Sequence, residues 1–217
     1  MNRGLRVLIT GFGPFPGARF NPTAALARRL ALLRRPAFAA VTRIAHVFAV
    51  TYGDVDRMLP ELIARHRPDV VLMFGLAPRA RVLRVETRAR NTVTTLWPDA
   101  GHRRGRSGQI VRGGPAALSF GPHALRLFHA LRATRLPATP SRNAGRYLCN
   151  YLCWRAIEAS HNGTPRLAAF IHVPPLAPGS RPRRRNSRRR WSGDDLARAG
   201  EALLRALVIA GRRARRA

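Results

Sequence analysis

Leu5-Arg6-Val7-Leu8-Ile9-Thr10-Gly11-Phe12-Gly13-Pro14-Phe15 is a short apolar run that empties into a Gly/Pro loop. Leu5 to Thr10 reads as a buried strand, and 11–17 as the loop leaving it. Asn21-Pro22-Thr23 follows, with Asn21 placed to cap a helix, Pro22 at its first position and an Ala/Leu/Arg stretch running on to Leu33. Working outward, Val41 to Thr51 is rich in β formers. Gly53 to His66 carries Val55, Met58, Leu59, Leu62 and Ile63 at helical spacing. Arg67-Pro68-Asp69 breaks that helix, and Val70 to Phe74 is a third buried strand ending at Gly75. Strands alternating with helices predict a three-layer α/β/α sandwich with a mainly parallel, twisted central sheet.

The second half is less regular. Val82 and Leu83 begin an edge strand within Arg79 to Arg90, and Leu96 to Pro115 is a long irregular loop. Pro122 to Ala133 and Ala144 to Ser160 read as helices. Leu167 to Val173 is a further buried strand, stopped by Pro174-Pro175. Arg181 to Arg190 reads as a solvated loop. Asp194 to Ala210 is a last helix whose acidic first turn and basic end suit its dipole. The expected organisation is one domain over 1–217, with an arginine-rich loop at about 180–190 and a basic tail at about 211–217.

Composition limits the function classes. With 217 residues and 46% hydrophobic content the chain can build a core and is not wholly disordered. Its longest apolar runs, such as Val70 to Leu76, are far short of a membrane span. Val7 to Ile9 is too short for the apolar region of a signal peptide. Cys149 and Cys153 share a helical face and do not make a disulfide scaffold, so a reducing cytoplasm is the expected location. The formal net charge is +30, and with no lysine present all 40 basic residues are arginine. That uniformity favours compositional drift over a selected polyanion surface; nucleic acid is expected to bind non-specifically if at all. No GxGxxG, P-loop or HExxH spacing occurs, so no cofactor and no metal are expected.

Three residues carry candidate chemistry. Glu86 follows the third strand, Cys149 sits early in a helix, and His172 ends a buried strand. Alone, each has a bland reading: a surface ion pair, a small core side chain, a satisfied histidine. Together they suit nucleophilic catalysis. A helix start and an adjacent imidazolium favour a thiolate, the histidine can protonate a leaving amine, and a carboxylate can fix its tautomer. Spacing alone does not decide between these readings.

The residues are similar to those of the pyroglutamyl peptidase I (pyrrolidone-carboxylate peptidase) family of cysteine exopeptidases. Val7 to Phe15 with Asn21-Pro22 resembles its N-terminal strand and loop. Glu86, Ala89 and Asn91 fall on its E-x-x-A-x-N box. Gly145-Arg146-Tyr147-Leu148-Cys149-Asn150 resembles the nucleophile segment, and Phe170-Ile171-His172-Val173-Pro174 the histidine segment. The resemblance implies that Cys149 is the nucleophile, His172 its acid and base, and Glu86 the group orienting His172. It implies that Phe12 and Phe15 line a slot for the lactam ring, although simple core packing is the alternative for both. It also implies N-terminally pyroglutamylated peptides as substrates and a homo-oligomer, commonly a tetramer. The chain departs from the family pattern at Leu76, at Thr87 and through most of 96–109, where only Pro98-Asp99 and Gly101 agree. The competing expectation is a weak or inactive homologue. In that reading the chain binds polyanions through the 181–190 run beside Trp191 and through Arg212 to Arg216.

Overall fold

The computed structural model describes residues 4–15, 17–176 and 190–216; all but the last residue of the Arg181 to Arg190 run lies outside them. A six-stranded sheet forms the middle layer, in the order β2-β1-β3-β8-β4-β7. β1 (Leu5–Phe12), β2 (Val41–Phe48), β3 (Val70–Leu76) and β8 (Leu167–Val173) run parallel. β3 is buried along its whole length, as a strand covered on both faces must be. β4 (Leu83–Glu86) runs antiparallel to β8 and parallel to β7 (Ala138–Ser141). The edge strand expected at Val82-Leu83 is therefore an interior one. β7 takes the edge, and its Ala-Thr-Pro-Ser carries no apolar pattern to announce it.

Helices α1 (Pro22–Leu32), α3 (His123–Ala133) and α5 (Gly193–Ala214) pack together on one face, and α2 (Tyr52–His66) and α4 (Leu148–His161) on the other. Asn21 caps α1 as the sequence predicts, accepting a bond from the Thr23 amide at 3.1 Å, a contact worth about 1 kcal/mol. α5 starts with a reciprocal capping box between Ser192 and Asp195. It runs on through Ala214, so most of the expected basic tail is helical. The first strand also runs further than expected: Gly11 and Phe12 belong to β1, not to the loop after it. α4 begins at Leu148 rather than Ala144, because Gly145 takes a left-handed φ of 88° that interrupts any earlier helix. A small antiparallel pair, β5 (Arg88–Arg90) and β6 (Ala117–Ser119), continues from β4 and lies against α4.

Candidate active site

Strand register puts the candidate residues in one row. Phe12 pairs with Phe48, and Gly75 with His172. Thr10 pairs with Met73, and continuing that register by two residues brings Phe12 level with Gly75. Paired residues on parallel strands point to the same face. Phe48, Phe12, Gly75 and His172 thus stand side by side at the carboxyl end of the sheet, beneath α2 and α4. This is the crevice where open α/β sheets place their sites.

α4 lowers Cys149 onto this row. A Cβ built on Gly75 would meet the Cys149 Sγ at 2.8 Å and the Phe170 ring at 2.6 Å. The sulfur therefore rests over the bare backbone of Gly75, with Phe12 on one neighbouring strand and His172 on the other. Cys149 is the second residue of α4, where unpaired amides and the helix dipole favour negative charge. Tyr147 leaves the helix start without a side-chain cap, so those amides remain open to a ligand.

His172 and Glu86 sit on neighbouring antiparallel strands. The His172 Nδ1 donates to the Glu86 Oε1 at 2.8 Å, leaving Nε2 for the nearby Cys149 sulfur. Glu86 is 1% exposed and His172 6%. Burial by itself pushes the imidazole pKa down. The Cys149 sulfur and then Glu86 outweigh it and raise it to about 9. The structure thus brings Glu86, Cys149 and His172 into one chain of contacts.

Phe12 is buried and tilts against Phe48 at 6.0 Å between centroids, while Phe15 is half-buried where the loop folds back onto Ala18. Cys153, one turn along α4, is fully buried, and burial pushes its thiol pKa well up. It is a core residue. Trp191 is also buried, donating to the Arg81 carbonyl at 2.9 Å, so it offers no stacking face to a polyanion. Among the described residues, no group of three or more His, Cys, Asp or Glu is placed to hold a metal.

Several residues inside or beside the quoted motifs hold the site together through contacts that the motifs do not state. Asn150 is fully buried; its side chain accepts from the Arg90 amide and donates to the Arg90 and Thr92 carbonyls, pinning the start of α4 to β5. Asn91 accepts from the Ile110 and Val111 amides and donates to the Val111 carbonyl, tying the feet of the long loop together. Asp99 accepts from the amides of Tyr52, Gly101 and Arg103, and the Tyr147 hydroxyl donates to the Pro98 carbonyl. The loop is therefore held at Pro98 and Asp99, two of its family-like positions. Thr87, a departure from the family pattern, donates to Ser141 on the neighbouring β7 and leaves the Glu86 contact intact. The resemblance marks Asn91, Asn150, Pro98 and Asp99, but a polar residue type in a motif does not by itself reveal burial or a bonding partner.

Comparison with known proteins gives a family and relatives of the same fold. A family model described as pyroglutamyl peptidase matches residues 5–181. Pyrrolidone-carboxylate peptidase of Pyrococcus furiosus is 30% identical over 171 residues, 78% of this chain and 81% of that protein. Pyrrolidone-carboxylate peptidase 1 of Ralstonia nicotianae is 32% identical, covering 78% of each chain. Among solved structures, a pyrrolidone carboxyl peptidase from Thermococcus litoralis superposes with a TM-score of 0.82 at 27% identity, covering 93% of this chain and 92% of that one. Pyroglutamyl peptidase I of Bacillus amyloliquefaciens gives 0.78 at 26% identity, covering 96% and 97%.

Proposed function

The chain belongs to the pyroglutamyl peptidase family, and from that premise we propose that Cys149, His172 and Glu86 carry out its hydrolysis of the bond after an N-terminal pyroglutamate. The observation that carries this assignment is the seating of the Cys149 sulfur over Gly75 between Phe12 and a His172 already bonded to Glu86.

The thiolate of Cys149 attacks the pyroglutamyl carbonyl, and the oxyanion that forms faces the free amides at the start of α4. The C–N bond breaks as His172 gives its proton to the leaving amine, and a pyroglutamyl thioester remains. Water then adds to the thioester, losing a proton to His172. The C–S bond breaks, freeing pyroglutamate and the thiolate. Glu86 holds the Nδ1 proton throughout and so keeps Nε2 aimed at the sulfur. Phe12 and Phe15 supply apolar walls for a flat, uncharged ring; an ordinary terminal ammonium would be buried there unpaired.

Single-domain organisation, a reducing cytoplasm and a homotetramer belong to the same proposal. One buried core links residues from Leu5 to Val208, which supports the first. A thiol nucleophile works only while reduced, which supports the second.

The test is amine release, in reducing buffer, from a pyroglutamyl amide beside the matching prolyl amide. The prolyl compound lacks the lactam carbonyl and carries a charge. The first should turn over and the second at least about 100-fold more slowly. Folded protein that ignores the pyroglutamyl amide would sink the assignment.

The raised imidazole pKa gives a pH expectation. The productive pair needs His172 protonated, so kcat/KM should fall on an alkaline limb near pH 9. Glu86 is one of the groups raising that pKa, so Glu86→Gln should move the limb to lower pH. A limb that does not move would remove Glu86 from the role assigned to it. The same sign governs stability: the His172 contribution is fully present below its unfolded value of 6.5 and is lost as pH rises through about 9.

A further inference from the structure

Ten carboxylates cannot pair with 40 arginines, so what matters is which of the unpaired arginines stand beside the site. All ten side-chain carboxylates lie among the described residues. Those away from the site are interleaved with arginines. Asp54 pairs with Arg57 and Glu61 with Arg65 on α2, Asp56 and Glu158 with Arg155, and Asp194 and Glu201 with Arg29 and Arg35 around α5. Along the chain from β3 to α4 that pairing stops. Between β3 and α4 the carboxylates are Glu86, consumed by His172, and Asp99, consumed by three backbone amides. In that same stretch Arg103, Arg104 and Arg106 stand exposed on the loop bonded to Tyr147, and Arg142 and Arg146 stand exposed on the segment leading into Cys149. Among the described residues none of these five has a carboxylate within ion-pair reach. The Thr94 amide donates to the Arg146 carbonyl at 2.6 Å, so loop and nucleophile segment form one continuous rim.

The lactam is neutral and gives this charge nothing to hold. What lies outside the slot is the rest of the peptide. A pyroglutamyl peptide has no terminal ammonium, so even with neutral side chains its only full charge is the C-terminal carboxylate. Resting on the pyroglutamyl-peptidase reading above, we propose that the arginine rim selects pyroglutamyl peptides whose residues after the lactam are acidic. Unpaired arginines at a low-dielectric cleft raise the local concentration of anions and offer forked donors to their carboxylates.

Three matched peptides test this: pyroglutamyl-Glu-Glu-amide, pyroglutamyl-Ala-Ala-amide and pyroglutamyl-Arg-Arg-amide, followed by the new amino terminus at low and high salt. At low salt kcat/KM should fall in that order, with the acidic peptide at least about 10-fold above the basic one. At about 0.5 M salt the spread should shrink to within roughly 2-fold, because exposed charges are then screened. Changing Arg103 and Arg146 together to Gln should shrink the low-salt ratio severalfold. Changing Arg126 and Arg135 to Gln removes the same charge from the opposite layer and should leave the ratio alone. If both double variants shrink it equally, net charge and not the rim is responsible, and the proposal falls. Equal rates on all three peptides at low salt also overturn it while leaving the peptidase reading standing. The same holds if a mixed-sequence oligonucleotide blocks the neutral peptide while the acidic one shows no advantage. Turnover of none of the three would overturn the peptidase reading itself.

Discussion

Cys149→Ala should reduce turnover of a pyroglutamyl amide by at least about 10⁴-fold, to whatever binding and the helix amides alone supply. The substitution removes one partly exposed sulfur at the start of α4. It leaves Asn150 and its three bonds to the 90–92 backbone in place. The variant should therefore fold normally, with a melting temperature within a few degrees of the parent, and still bind an uncleaved pyroglutamyl peptide. Cys149→Ser is the sharper companion. A hydroxyl fits the same space above Gly75, but the pair with His172 no longer supplies a ready anion, so activity should again be nearly lost. A serine variant within 10-fold of the parent would show that attack does not start from a pre-ionised sulfur.

Gly75→Val should be almost as damaging through geometry alone. The added Cβ would stand 2.6 Å from the Phe170 ring and 2.8 Å from the Cys149 Sγ. Neither neighbour yields easily: Phe170 is fully buried, and α4 is pinned through Asn150. If the sulfur gives way by about 1 Å, a near-attack geometry is lost and kcat should fall on the order of 100-fold. If the sheet gives way, overpacking should lower stability by about 1–3 kcal/mol. Kinetics and thermal melting together separate the two, and Gly75→Ala should show a milder form of both. A valine variant with unchanged kcat and unchanged melting temperature would mean that the sulfur does not rest on this strand.

The parts legible in the sequence are those where side-chain type reports burial directly. Val7 to Ile9, Val70 to Phe74 and Ala168 to Ile171 are apolar because both faces of their strands are covered. Asn21-Pro22 marks a helix start because a cap and a fixed φ act within a few residues. β5, β6 and β7 were not legible because Arg-Ala-Arg, Ala-Leu-Ser and Ala-Thr-Pro-Ser have no pattern of their own. Their strand state is conferred by neighbours distant in the chain. The interior place of β4 was hidden for the same reason, since it depends on β7. At the site, Glu86, Cys149 and His172 stood out through joint resemblance, and the register supplied what resemblance lacked: the row that sets Phe12 and His172 on either side of the sulfur. Gly75 was visible only as the end of a strand. Its reason for being glycine lies above it, in a helix that starts more than seventy residues later.

The clamp made by Asn91 has a consequence for how such a protein can change over generations. Three bonds from one side chain join residue 91 to residues 110 and 111, so both feet of the loop are fixed whatever lies between them. Most of the ordering entropy is met at that knot and at Asp99, and lengthening or recomposing the intervening chain adds little. Away from the ties that Thr94, Pro98 and Asp99 make to α2 and to the segment before Cys149, heritable variation can therefore accumulate in the loop without reaching the strand that bears Glu86 or the helix that bears Cys149. The rim over the cleft is a module that mutation can rewrite while the chemistry beneath it is inherited unchanged.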